Sequence, residues 1–157
     1  MDEKLLERIF LALHRENVRY AVFGGVALNL HGIVRTTEDL DIFIEPSEEN
    51  VRCLKAALRS VFADPAIEEI SASDLLGDYP AVAYVPPDGP FHVDILTRLG
   101  EAFRFEDLET EETEFRGIRV PVVTPRTLHR MKRDTVRPKD RGDAEELRRR
   151  FGFGEKD

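Results

Sequence analysis

Cysteine is all but missing from this chain of 157 residues, and its one copy, Cys53, excludes an internal disulfide. No Cys or His stands beside Cys53 at ligand spacing, so it reads as a structural helix residue in a reducing, cytoplasmic setting. There is no run of about 18 apolar residues, which predicts no membrane span. The opening Met1-Asp2-Glu3-Lys4-Leu5 is acidic and lacks the apolar stretch of a signal peptide, so secretion is not expected. Positive charge is in short supply. A net charge of -8 argues against a general nucleic-acid binder. Absent too are the Gly-Lys-Ser/Thr ending of a Walker A loop, the Gly-x-Gly-x-x-Gly dinucleotide fingerprint, and any Ser-His-Asp or Cys-His spacing of a hydrolase. No cluster of aromatics points to base stacking.

What remains is enough for a folded enzyme-sized unit. At 41% hydrophobic and 34% charged the chain can bury a core under a polar surface. The length fits one domain, read as a core over 1–123 and a helical segment over 124–157 packed on it. Charge is unevenly spread. Residues 124–150 carry ten Lys and Arg against five acids, a balance of +5 that leaves -13 for the remainder. Such a segment can offset the phosphates of a nucleotide, or be an ordinary solvated helix face. Both readings stay open here.

Periodicity orders the elements. Leu5, Leu6, Ile9, Phe10 and Leu13 form one helical stripe over 2–16. Tyr20 to Phe23 is a short apolar run stopped by Gly24-Gly25, hence a buried strand, and Val26 to His31 is a short helix ended by Gly32. Leu40 to Ile44 is a second strand, and Ser47 caps a helix over 48–62. Ala66 to Ser71 reads as a strand and Ser73 to Pro80 as a loop. Ala81 to Val85 and Phe91 to Leu96 flank Pro86-Pro87-Asp88-Gly89-Pro90 and form a hairpin. Glu112 to Phe115 and Ile118 to Val123 form another around Arg116-Gly117. Helices follow over Thr124-Pro125 onward, with Leu128 and Met131 inward, and over 139–150 after a break at Arg137-Pro138. The fold class predicted is α+β: a mixed sheet, helices packed on one side, and short C-terminal helices.

Three acids carry the chemistry. In a strand, residues i and i+2 share a face, so Asp39 and Asp41 point one way while Leu40 and Ile42 point into the core. Two carboxylates that close repel unless a cation lies between them. Asp94, in Phe91-His92-Val93-Asp94-Ile95-Leu96, is an acid inside an apolar strand and needs a partner. A metal shared with Asp39 and Asp41 would supply one, and so would an arginine. Mg²⁺ takes a few carboxylate oxygens plus substrate phosphates, so three acids suffice. Gly24-Gly25 lets the backbone approach a phosphate at the start of a helix. His92 shares a face with Asp94, where a structural hydrogen bond is the expected role.

Gly24-Gly25-Val26-Ala27, then His31-Gly32, then Arg35-x-Thr37-x-Asp39-x-Asp41, resembles the signature of the polymerase-beta-type nucleotidyltransferase superfamily. The likeness is to its small stand-alone members, including those related to abortive-infection toxins and aminoglycoside nucleotidyltransferases, and it runs from about Tyr20 to Leu147. The resemblance implies a mixed sheet and transfer of a nucleoside monophosphate from a nucleoside triphosphate to a hydroxyl acceptor, with release of pyrophosphate. It implies that Asp39, Asp41 and Asp94 hold two Mg²⁺ ions, with Mn²⁺ as a substitute, and that Gly24 and Gly25 cradle the triphosphate. Leu128-His129-Arg130-Met131-Lys132 and Arg137-Pro138-Lys139-Asp140-x-x-Asp143 are similar to a later segment of these members, which makes Lys132 and Lys139 candidates for phosphate contact. Arg35 and Thr37 belong to the same nucleotide-binding set. One departure stands out: many relatives carry a serine where this chain has Gly25. The acceptor (a small molecule, a protein or an RNA end) and the triphosphate are not legible, and a homodimer could complete the cleft. A silent nucleotide-binding module and a toxin–antitoxin component are the rival readings.

Overall fold

Tyr20, Ala21 and Val22 are buried in succession, which makes the first strand an interior one with both of its faces covered. The computed structural model describes residues 2–87, 90–133 and 138–154. In chain order these form α1 (Glu3–Arg15), β1 (Tyr20–Phe23), α2 (Gly24–Leu30), β2 (Asp39–Ile44), α3 (Glu48–Val61), α4 (Ala72–Leu76), β3 (Ala81–Tyr84) and β4 (His92–Leu96). The strand pairs β5 (Arg98–Leu99) with β6 (Phe103–Arg104) and β7 (Thr110–Phe115) with β8 (Ile118–Val123) follow, then α5 (Pro125–Arg133) and α6 (Pro138–Phe151). Short 3₁₀ segments lie at Pro65–Glu69 and Phe105–Asp107.

Six strands form one mixed sheet in the order β3-β4-β2-β1-β8-β7. β1 runs antiparallel to β2 and parallel to β8, while β2 and β4 are parallel. The two hairpins predicted from turn residues are present as β3–β4 and β7–β8. Because β1 and β2 are antiparallel, the end of β1 lies beside the start of β2, and the start of β4 lies beside that. Three chain segments from interior strands therefore converge at one end of the sheet.

The core is built on the other face from the acids. Leu40, Ile42, Ile44, Val93 and Ile95 are buried with Ile9, Phe10 and Leu13 of α1 and Val51, Leu54 and Leu58 of α3. Asp2 caps α1 by accepting from the amides of Lys4 and Leu5, and Ser47 caps α3 by accepting from Asn50, as its sequence predicts. Leu128 of α5 and Leu147 of α6 are fully buried and extend the hydrophobic cluster to the C-terminal helices.

Two expectations are corrected. The segment read as a strand over Ala66–Ser71 is instead a 3₁₀ turn, opened by Pro65 and by Asp64 accepting from the Ala66 amide. Its Ile67 and Ile70 lie three apart, a helical spacing that buries both. The loop read over Ser73–Pro80 begins as α4, which Ser71 caps by accepting from Asp74. Of the break read at Arg137-Pro138, Pro138 opens α6, and Arg137 lies outside the described residues.

Candidate active site

The sheet register sets the acids. On the parallel pair β2–β4, Asp39 stands opposite His92 and Asp41 opposite Asp94. On the other flank, Asp41 faces Phe23 of β1, the residue just before Gly24-Gly25. Strand alternation turns Asp39, Asp41 and Phe43 to one side and Leu40, Ile42 and Ile44 to the core. Three carboxylates from two strands thus meet on one face, next to the turn from β1 into α2.

That crowding has an electrostatic signature. Burial pushes the Asp41 carboxyl up to about 7, helped by a hydrogen bond shared with Asp94 and by repulsion from Asp94 and Asp39; Lys132 pulls the other way. Near neutral pH the Asp41 carboxyl is therefore only partly ionised. The donor set of carboxylate oxygens suits a divalent ion. Among the described residues, Asp39, His92 and Asp94 offer ligand atoms that all lie within 4.8 Å of one another.

Gly24 is required by this packing. It adopts φ +69°, and a Cβ there would overlap the Asp41 carboxylate. Gly25 has more room, with an added Cβ 3.1 Å from the Thr37 side chain. Thr37 in turn anchors the approach to β2: its hydroxyl donates to the Asp39 carbonyl at 3.1 Å and accepts from the Asp39 amide at 3.3 Å.

The cations come from elsewhere and are already paired. Arg35, whose amide donates to Asn29 Oδ1 at 2.8 Å, forms an ion pair with Asp143 of α6. Lys132 of α5 lies 3.0 Å from Asp143 and 3.3 Å from Asp140. Burial pushes the Lys132 ammonium below its ordinary range, opposed by Asp140 and Asp41 and reinforced by Arg35. Asp143 is thus the joint between the β2 approach and both C-terminal helices.

A cavity of about 550 Å³ opens over this face. Its lining includes Gly24, Gly25, Arg35, Thr37, Asp39, Asp41, Asp94, Lys132 and Lys139, so every candidate site residue read from the sequence is brought to one place, Lys139 on its exposed rim. Two contributors escaped the sequence reading. The β5–β6 ribbon supplies Leu99, Gly100, Glu101, Ala102 and Phe103 as a wall. Asp143 was quoted in the late motif, but its pairing with Arg35 joins residues far apart in the chain, which no local pattern reveals.

A family model described as nucleotidyl transferase AbiEii toxin, type IV TA system, matches residues 4–148. The chain belongs to this family. Solved structures share the fold of this AbiEii-family chain. The crystal structure of ANT(2'')-Ia in complex with adenylyl-2''-tobramycin is similar with a TM-score of 0.57 at 15% identity, over 96% of this chain and 89% of that one. The solution structure of the antibiotic-resistance factor ANT(2'')-Ia gives 0.53 at 17% identity, over 97% and 93%. An antigenic nucleotidyltransferase-like protein from Paracoccidioides brasiliensis gives 0.53 at 18%, over 94% and 74%. No curated protein matches the chain by sequence. No helix among the described residues is long and apolar enough to cross a membrane.

Proposed function

We propose that this AbiEii-family chain transfers a nucleoside monophosphate from a nucleoside triphosphate to a hydroxyl acceptor, releasing pyrophosphate. The observation that carries the reading is the register that sets Asp41 beside Asp94, at the glycine turn and over a cavity lined by Arg35, Lys132 and Lys139. Asp39, Asp41 and Asp94 would hold Mg²⁺, with Mn²⁺ as a substitute; two such ions supply charge stabilisation to the attacking and leaving oxygens of an in-line displacement. Around them, the Gly24-Gly25 turn presents backbone amides that suit a triphosphate, and Gly24 keeps the backbone close to Asp41. Lys139, exposed at the rim, is free to meet phosphate oxygens. Arg35 and Lys132, fixed by Asp143, add positive potential on the cavity wall facing the acids. Asp94 would take the proton of the acceptor hydroxyl as the new phosphoester bond forms and the bond to pyrophosphate breaks.

The decisive measurement is Mg²⁺-dependent pyrophosphate release by the purified chain with each triphosphate, beside Asp41→Asn. The reading expects release that the variant loses while its circular dichroism stays native. Equal turnover in both proteins would refute the site assignment. The family description, which names a toxin of a type IV system, favours a toxin–antitoxin component as the biological setting. Growth arrest on expression that Asp41→Asn abolishes would tie that setting to the transfer reaction; arrest that survives the substitution would favour the catalytically silent alternative.

A further inference from the structure

His92 is the one member of the acid cluster that is not a carboxylate, and its place is specific. It opens β4 opposite Asp39, two residues before Asp94 on the same face. Its Nε2 lies 3.1 Å from Asp39 Oδ1 and 3.4 Å from Asp94 Oδ2. With the two carboxylates also inside 4.8 Å of each other, one ion can reach all three donor atoms. Asp41 is set apart from this trio: its carboxylate is directed to Gly24, while Asp94 stands opposite it on β4 and so lies between two groupings. The trio is half-exposed, which leaves open positions for water or substrate oxygen.

Donor chemistry then discriminates between ions. Mg²⁺ takes oxygen ligands, whereas an imidazole nitrogen beside two carboxylates suits a divalent transition ion. We infer that Asp39, His92 and Asp94 form a mixed nitrogen–oxygen site that selects a divalent transition ion over Mg²⁺, with His92 Nε2 bound to the ion directly. This rests on the proposed nucleotidyl-transfer reading for its purpose, though not for its test. It replaces a simple hydrogen-bonding role for His92 with a ligand role. It also separates the cluster into a grouping around Asp41 at the glycine turn and a mixed grouping at the start of β4.

The test uses the whole chain and Mn²⁺, with no turnover required. Electron spin-echo spectra of bound Mn²⁺ should carry the nitrogen modulation of a directly ligated imidazole. His92→Gln should remove that modulation and weaken Mn²⁺ binding by about tenfold or more, while Mg²⁺ affinity, measured by competition, stays nearly level. The wild-type spectrum decides by itself should the variant fold poorly. Bound Mn²⁺ without nitrogen modulation, or equal Mn²⁺ affinity in His92→Gln, would overturn the inference and leave the carboxylate-based transfer reading standing. A chain that binds neither Mn²⁺ nor Mg²⁺, alone or with a non-hydrolysable triphosphate, would overturn both.

Discussion

The two charged walls of the cavity solve the same problem in opposite ways. On the strand side, Asp39, Asp41 and Asp94 crowd one another, with His92, beside Asp39 and Asp94, as their one ion-pair partner among the described residues. On the helix side, Arg35 and Lys132 are more deeply buried than Asp39, and both are paired to Asp143. A buried charge is tolerated when it is paired and hydrogen-bonded, and is costly otherwise. The helix wall is therefore electrostatically complete, a joint that holds α5 and α6 over the sheet. The strand wall is incomplete by the same measure. An incomplete acid cluster kept in a cavity is what a cation-dependent site needs, and perturbed carboxyls of this kind gather at functional sites.

The largest expected effect comes from removing an acid. Asp41→Asn should lower turnover by about 10⁴-fold, since an ion's charge stabilisation of a transition state amounts to several kcal/mol. The same substitution should raise the melting temperature of the metal-free protein at pH 8, above the Asp41 value of about 7, because there it deletes a repelling charge. Loss of activity with a gain of stability is the signature of the strand wall, read by a turnover assay and a thermal melt on one sample. A drop in both would place Asp41 in a structural network instead.

Asp143→Ala should do the reverse. It strands the mostly buried Arg35 and takes one of two carboxylates from Lys132, and breaking such a buried pair from one side costs about 3 kcal/mol or more. Denaturant unfolding should show that loss before any assay is run. Lys132 keeps Asp140 as a partner, so the Arg35 end carries most of the effect. A variant as stable as wild type would mean the walls do not differ as argued.

How much of this was readable in the chain depends on the range of the signal. The acids and the glycine turn obey local rules: a period of two along β2 and β4, and a glycine pair at a strand end. The hairpins came from Pro-Pro-Asp-Gly-Pro and Arg-Gly turns for the same reason. Ala66–Ser71 failed because a short apolar segment has too few residues to separate a spacing of two from one of three, and the Asp64 cap was passed over. The β5–β6 ribbon was invisible because strands of two residues have no periodicity at all. Asp143 is a different case: its identity is plain in sequence, but its partner Arg35 is chosen by the packing of α6 against the loop before β2. His92 was placed on the correct face, and only the register against Asp39 gave its ring nitrogen a position between two carboxylates.

The glycine pair offers a graded test of how closely the strand wall is packed. Gly24→Ala adds a methyl onto the Asp41 carboxylate at a positive φ, so about 2 kcal/mol of stability should go, together with activity. Gly25→Ala meets Thr37 at 3.1 Å in ordinary backbone space and should cost less than about 1 kcal/mol. Equal losses in paired melts would show that the first glycine is no tighter than the second.

The smallest effect separates the walls by pH. The Asp41 carboxyl lies near 7 in the folded state against an ordinary value of 3.8. Between about pH 4 and pH 7 the unfolded chain has released this proton while the folded one retains it. The unfolded state then binds fewer protons, so this group makes stability fall as pH rises through that window and level off above it. Because the titration is shared with Asp94, an effect of about 1 kcal/mol is expected rather than the full shift of one isolated group. A divalent ion binds the deprotonated cluster, so the Mg²⁺-induced rise in melting temperature should be larger at pH 8 than at pH 5.5. Asp41→Asn should flatten both trends, whereas Lys139→Ala, a rim substitution remote from the acid cluster's proton, should leave them unchanged. If the metal-induced shift is the same at both pH values, the strand wall is already balanced without an ion, and its contrast with the Arg35–Asp143–Lys132 joint disappears.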